Sequence, residues 1–260
     1  MSFKDKYFQK NVGNYPDEFQ LGDISFEKVE DLRYGTNPHQ PGAFYRIKNK
    51  KNQPFGNYEL LKQGKNGLSQ TNLEDANQAI KMIKYLERPA VAVMKHLNPS
   101  GVAMQWNDEP LVEVYKKARD VDAQAAFGSS VVFNDYVDAD TAHEIMQSIV
   151  ENVYAPSYND KALEILNDHA KYKRNKNIRV VKLPDLKTLP KYMGDACEPE
   201  LKVLQDGSII IASPYLTRIR NENDLIIAHT THKEKGKIEC SVKPSSDQYQ
   251  DMLLSWYVNI

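Results

Sequence analysis

Three short segments hold the side chains with chemical potential. Lys95-His96-Leu97-Asn98-Pro99-Ser100-Gly101 sets a cation beside a base that can titrate near neutral pH. Adjacent side chains on a regular strand point to opposite faces. Lys95 and His96 can therefore serve one ligand only where the chain turns, and Asn98-Pro99-Ser100-Gly101 is a turn sequence. Leu32-Arg33-Tyr34-Gly35-Thr36-Asn37-Pro38-His39-Gln40 gathers a guanidinium fork suited to phosphate and neutral hydrogen-bonding groups around Gly and Pro. Ala125-Ala126-Phe127-Gly128-Ser129-Ser130 offers a ring wall and a close backbone approach to a planar ligand. Each segment taken alone also has a plainer reading: a surface Lys-His pair, a salt-bridged Arg in a polar turn, a core Phe.

Alternating elements must position these groups. Asn72 is read as the cap of a helix, with Asp75 three residues on in a box-like arrangement. Leu73, Ala76, Ile80, Ile83 and Leu86 form its apolar stripe, and Pro89 ends it. The run 90–94 is a strand buried on both faces. A helix opened by Asp108 and Pro110, a strand over 130–133, a helix capped by Asp140 through Ile149, a strand near Val153 and a helix over 161–169 follow. This order predicts an α/β layered sheet with helices on both faces and a ligand at the carboxyl ends of the strands. The first 31 residues read as an N-terminal arm, 32–170 as the alternating α/β body, and 171–195 as a loop-rich stretch or subdomain boundary. The runs 209–212 and 225–228 are further strand candidates, and Ser245 caps a last helix.

Composition excludes several classes. With 34 basic and 35 acidic residues the net charge is −1, so neither nucleic acid nor an anionic membrane is an expected partner. No apolar run approaches the roughly 20 residues that span a bilayer, and residues 1–10 have no secretory apolar segment. Cys197 and Cys240 stand apart with no metal-ligand spacing, and His229 and His232 lie in β-rich sequence. No metal is predicted, and a cytoplasmic location is the default.

The three segments, in this order, resemble the transformylase portion of the bifunctional AICAR transformylase/IMP cyclohydrolase family, which shows an LRYGxNPHQ segment, a KHxxPxG segment and a downstream FG step. Gly67 to Leu73 is similar to that family's Asn-Leu loop, and Tyr154-Ala155-Pro156 to its Ala-Pro segment. The resemblance runs from Leu32 to Ile260 and loosens after about residue 170. It implies a cytidine-deaminase-like α/β architecture in two related subdomains, with 32–170 as the nucleotide-binding subdomain and 171–260 as a linker and an incomplete second subdomain. It also implies a homodimer with interfacial sites, and formyl transfer from the co-substrate 10-formyltetrahydrofolate to the 5-amino group of AICAR in de novo purine biosynthesis. On that resemblance His96 assists proton removal from the amine, and Lys95 stabilises the oxyanion or supplies the leaving-group proton. Arg33 and Tyr34 hold the nucleotide phosphate; Asn72, Phe127 and Gly128 contact the nucleotide; His39 supports the catalytic groups.

Two positions depart from the family pattern. Ala125 stands where Ser is frequent, and Glu151 where an Asp makes a ribose-type contact. The cyclohydrolase domain is absent, as are a KSN-like continuation, the rest of the second subdomain and most folate contacts. A truncated chain is therefore expected. The alternative is a non-catalytic AICAR-binding fragment or pseudoenzyme. An ATP-dependent formate ligase is disfavoured by the lack of a P-loop, and a zinc deaminase by the lack of HxE with PCxxC.

Overall fold

A computed structural model of the 260-residue chain describes residues 9–184, 186–225, 229–239 and 242–260. Two compact units result, Met1–Leu189 and Pro190–Ile260.

The first unit opens on an antiparallel sheet of β1 (Glu18–Leu21), β2 (Ile24–Asp31) and β3 (Ala43–Ile47). Residues 18–31 are thus paired strands, where the sequence reading expected an arm. The cause is aromatic pairing across strands. Phe19 stacks on Phe26 with ring centres 4.8 Å apart, and Tyr45 meets Phe19 edge-on. Such pairs stabilise a sheet without a deep core.

A six-stranded mixed sheet forms the body, in the order β4 (Glu59–Lys62), β9 (Arg179–Lys182), β8 (Val150–Ala155), β7 (Ser129–Phe133), β5 (Ala90–Lys95), β6 (Asn98–Met104). β7, β8 and β9 run parallel; β5 is antiparallel to β7, β6 to β5, and β4 to β9. Side chains alternate across the sheet. Val91, Val131, Phe133, Val153 and Val180 share one core with α2 (Leu111–Asp120), α3 (Ala139–Ile145) and α4 (Asp160–Asn167). Against the other side packs α1 (Gln70–Ile83), which lies on β5 and β7. The expected layered α/β architecture is present. β9 lies in 171–195, a stretch that reads as loop-rich; its four residues, Arg-Val-Val-Lys, are too few to show a period.

Helix starts differ from expectation where two capping residues compete. Ser69, not Asn72, caps α1: Ser69 Oγ accepts from Asn72 N–H while Asn72 Oδ1 accepts from Ser69 N–H. Asn72 is thus the third helical residue of the capping box. Asp138, not Asp140, caps α3, which ends at Ile145.

The turn expected at 98–101 is the start of β6. Pro99 is tolerated there because β6 is an edge strand. Gly101 answers to packing, since a Cβ would lie 1.9 Å from the Ala118 carbonyl oxygen on α2. The reversal falls earlier, at His96 and Leu97, with φ of 52° and 69°.

On the opposite edge, Lys62 donates to the Leu166 carbonyl at 2.6 Å, and burial pushes its ammonium down to about 8. An unfolded Lys titrates near ~10.4, so between these values the folded chain binds fewer protons than the unfolded one. The Lys62 contribution to stability therefore rises as pH climbs from about 8 to about 10. Urea melts should show the unfolding free energy of wild type gaining on that of Lys62→Met across this window. A constant difference would contradict the burial argument.

The second unit contains two antiparallel hairpins, β10 (Glu200–Val203) with β11 (Ile209–Ala212) and β12 (His229–His232) with β13 (Gly236–Glu239), and the helix α5 (Ser246–Asn259). Ser245 caps α5 as expected. Trp256 Nε1 donates to Thr217 Oγ1 at 3.0 Å, and Tyr257 OH to the Ile219 carbonyl at 3.0 Å, tying α5 to the strand-free segment 213–220. The candidate strand 225–228 and Cys240 fall at or within residues outside those described; Leu225 itself closes a 3-10 turn. His229 and His232 are the end residues of β12, and among the described residues no group of three or more His, Cys, Asp or Glu is placed to hold a metal. No helix among the described residues is long and apolar enough to cross a membrane.

Candidate functional site

A cleft of about 440 Å³ opens where the amino end of α1 meets the sheet. Its lining includes Arg33, Tyr34, Asn72, Lys95, His96, Gly128 and Glu151, residues from well-separated parts of the chain. It sits at the carboxyl end of β5 but at the amino ends of β7, β8 and β9. The expectation of a ligand at strand carboxyl ends holds for β5, and for β4 through Lys65 just beyond its end, because both run against β7, β8 and β9.

The Leu32–Gln40 segment is fixed by its backbone. Arg33 N–H donates to the Leu68 carbonyl at 2.7 Å, and Gly35 N–H to the Gln40 carbonyl at 2.7 Å. Arg33 is 2% exposed; its Nη2 donates to Tyr34 OH at 2.8 Å, and its guanidinium lies 4.4 Å from the Tyr34 ring centre. Its Nε has no protein partner. Thr36 and Asn37 of the same segment also face the cleft.

Lys95 and His96 reach the cleft together because the chain reverses at His96. Two consecutive left-handed residues define a type I′ hairpin turn, which breaks the strand alternation that would separate them. Lys95 Nζ donates to the Gly128 carbonyl at 2.7 Å. Gly128 has a φ of +69°, and a Cβ there would stand 3.1 Å from Lys95 Nζ, so both conformation and space favour glycine.

The cleft carries a basic excess. Arg33, Lys65, Lys95 and His96 face Asp75 and Glu151, and fully buried Arg179 lies behind them. Burial lowers the Lys65 ammonium, partly offset by Glu151, with which it pairs at 3.4 Å. Burial works to raise the Glu151 carboxyl, but Lys65, Arg179 and Lys95 outweigh it and hold it below the ordinary carboxylate range. Burial, then Arg33, brings Arg179 down to about 10, where it stays cationic at neutral pH. The orphan N–H groups and dipole at the start of α1 add positive potential beside Ser69 and Thr71. This arrangement suits an anionic ligand.

Two expected residues do not enter the cleft. His39 is exposed beyond the tight Asn37–Gln40 turn, whose Gln40 N–H donates to the Asn37 carbonyl at 2.9 Å. Phe127 is 62% exposed and turned away from the lining. The structure adds Lys65, Asp75, Ser130 and Asn152, which the sequence reading did not assign. The sequence signal for Ser130 and Asn152 is that they are polar residues within largely apolar strands, which also carry Ser129 and Glu151.

Fold and cleft together define an α/β protein with a basic ligand site at a helix amino end. A family model described as AICARFT/IMPCHase bienzyme matches residues 3–259, and the chain belongs to that family. It is 34% identical over 257 residues to a bifunctional purine biosynthesis protein PurH of Acetivibrio thermocellus, covering 97% of this chain and 44% of that protein. A PurH of Myxococcus xanthus is 42% identical over 153 residues, 58% of this chain and 28% of the relative. The chain therefore spans less than half the length of these curated relatives. A deaminase/reductase structure from Thermotoga maritima, named for diaminohydroxyphosphoribosylaminopyrimidine, overlaps 42% of this chain and 35% of its own with 15% identity and a TM-score of 0.29, too slight a likeness to bear on fold or function.

Proposed function

We propose that this chain binds AICAR in the basic cleft and takes part in its formylation by 10-formyltetrahydrofolate in purine biosynthesis. The observation that carries this reading is the convergence of Arg33-Tyr34 and Lys95-His96 on one cleft at the amino end of a helix. Arg33 and Tyr34 hold the phosphate. Asn72, Gly128 and Glu151 border the nucleoside, with Glu151 as an acceptor for ribose hydroxyls.

In the reaction the 5-amino nitrogen attacks the formyl carbon. The tetrahedral oxyanion collapses as the bond to folate N10 breaks, one proton leaves the amine and one is delivered to N10. The products are the formamide nucleotide and tetrahydrofolate. The amine is a weak nucleophile, its lone pair being delocalised into the imidazole and carboxamide, so proton removal during attack lowers the barrier. His96 accepts that proton. Lys95, held by the Gly128 carbonyl, stabilises the oxyanion or protonates the leaving nitrogen. A homodimer and a cytoplasmic location belong to the same reading; light scattering in solution tests the first.

Release of tetrahydrofolate by the chain supplied with AICAR and 10-formyltetrahydrofolate, alongside calorimetric titration with AICAR, tests the proposal. Turnover establishes the transferase. Binding without turnover leaves a nucleotide-binding role, and absence of both overturns the reading. Arg33→Ala should weaken AICAR binding roughly ten- to hundredfold, the worth of a charge-assisted hydrogen bond. It should leave the dephosphorylated riboside unaffected; equal losses for both ligands would remove the phosphate assignment.

A further inference from the structure

The reversal at His96 and Leu97 is built from residues that ordinarily avoid it. Type I′ turns favour Asn-Gly, and a left-handed non-glycine residue is strained. Something outside the hairpin must hold this one. Asp75, on the second turn of α1, is 6% exposed, and its Oδ1 accepts from Leu97 N–H at 2.8 Å. Its Oδ2 accepts from Ser130 Oγ at 3.2 Å. Ser130 Oγ in turn accepts from Asn152 Nδ2 at 2.8 Å, and Asn152 Oδ1 accepts from Arg179 Nη1 at 2.9 Å. A continuous chain of buried hydrogen bonds thus runs from Arg179, across β9, β8 and β7, to the backbone of the turn that carries His96.

We propose that Asp75 is a positioning residue: its carboxylate fixes the left-handed His96–Leu97 turn and so presents His96 beside Lys95 in the cleft. The inference rests on the reading of those two residues as the pair that acts on AICAR. The carboxylate suits this task better than a neutral acceptor would. It accepts from the turn and from Ser130 at once, and it lies in the field of Lys95 and His96, with Arg179 beyond Asn152. Burial raises the Asp75 carboxyl, while the Leu97 N–H, Ser130, His96 and Lys95 work against that rise.

The test is amide proton exchange and chemical shift at Leu97, followed by NMR in the 260-residue chain, with AICAR affinity and formyl transfer measured in parallel. Asp75→Ala removes the acceptor, and exchange at Leu97 should accelerate roughly ten- to hundredfold, with formyl transfer slowed by about tenfold or more and AICAR affinity within about threefold of wild type. Asp75→Asn keeps an acceptor oxygen and should retain the protection. In wild type the Leu97 amide shift should follow the Asp75 carboxyl carbon, read in the same titration, and this component should vanish in Asp75→Asn; it decides the matter even where Asp75→Ala does not fold. Unchanged Leu97 exchange in Asp75→Ala, or a Leu97 shift in wild type that does not follow the Asp75 carboxyl, overturns the proposal. Failure of wild type to bind AICAR overturns the functional reading instead, and the Leu97 measurements then still judge Asp75.

Discussion

His96→Ala is expected to lower formyl transfer to AICAR by roughly 10²- to 10⁴-fold, the usual worth of a positioned acid or base, while AICAR affinity stays within about threefold. His96 is exposed at the tip of the β5–β6 hairpin, so its side chain contributes little packing and the loss cannot be laid to misfolding. The turn itself is held through the Leu97 N–H and by Asn98 Nδ2, which donates to the His96 carbonyl at 2.9 Å; both bonds survive the substitution. The measurement is single-turnover tetrahydrofolate release at saturating AICAR. A rate within about threefold of wild type would remove His96 from the chemistry, because general acid–base help of that size is below what the mechanism asks of it. Lys95 makes a useful contrast. Its ammonium is tied to the Gly128 carbonyl, so Lys95→Ala should also release the Gly128 loop.

The layered α/β body was legible in the sequence because its strands are short apolar runs and its helices carry apolar stripes with capping residues. The cleft was legible in part. Arg33, Tyr34, Lys95 and His96 stand out as chemical groups in turn-rich segments, and the structure brings all four together. Three features lay beyond a linear reading. The position of the turn depended on a carboxylate on another element, so Asn98-Pro99 was the more obvious place to reverse. Asp75 looked like half of a capping box because Asn72 looked like the cap; once Ser69 takes that place, Asp75 is freed to face the sheet. The cleft's relation to the strand ends followed from β5 running antiparallel to β7, and strand direction leaves no mark on composition. His39 and Phe127 failed to converge for a related reason. Phe127 adjoins Gly128 and His39 stands two residues from Asn37, both of which line the cleft, and one tight turn suffices to face a near neighbour outward.

Arg179 gives the largest expected effect on stability. It is 0% exposed, and its Nε donates to the Gly67 carbonyl at 2.7 Å and the Gly64 carbonyl at 3.1 Å, while Nη1 reaches Asn152 Oδ1 and stands 3.8 Å from Glu151. One guanidinium therefore ties the 64–67 loop, which carries Lys65, to the starts of β8 and β9. Arg179→Leu keeps most of the volume but takes the donor from the Gly67 carbonyl and from the Asn152 amide oxygen, leaves the Gly64 carbonyl with the Gly67 N–H alone, and leaves Glu151 with one cation fewer. Leaving buried acceptors unsatisfied costs about 1–3 kcal/mol each, which for a chain of this size lowers Tm by on the order of 10 °C. Arg179→Lys should recover little of it, since a single ammonium cannot span acceptors that a planar fork reaches on two edges. Differential scanning calorimetry of the two variants decides this. A Tm within about 2 °C of wild type for Arg179→Leu would show that the loop is held by other contacts, because a loss of that size is below 1 kcal/mol. A stable Arg179→Lys would show instead that charge, and not the geometry of the fork, is what the 64–67 loop requires.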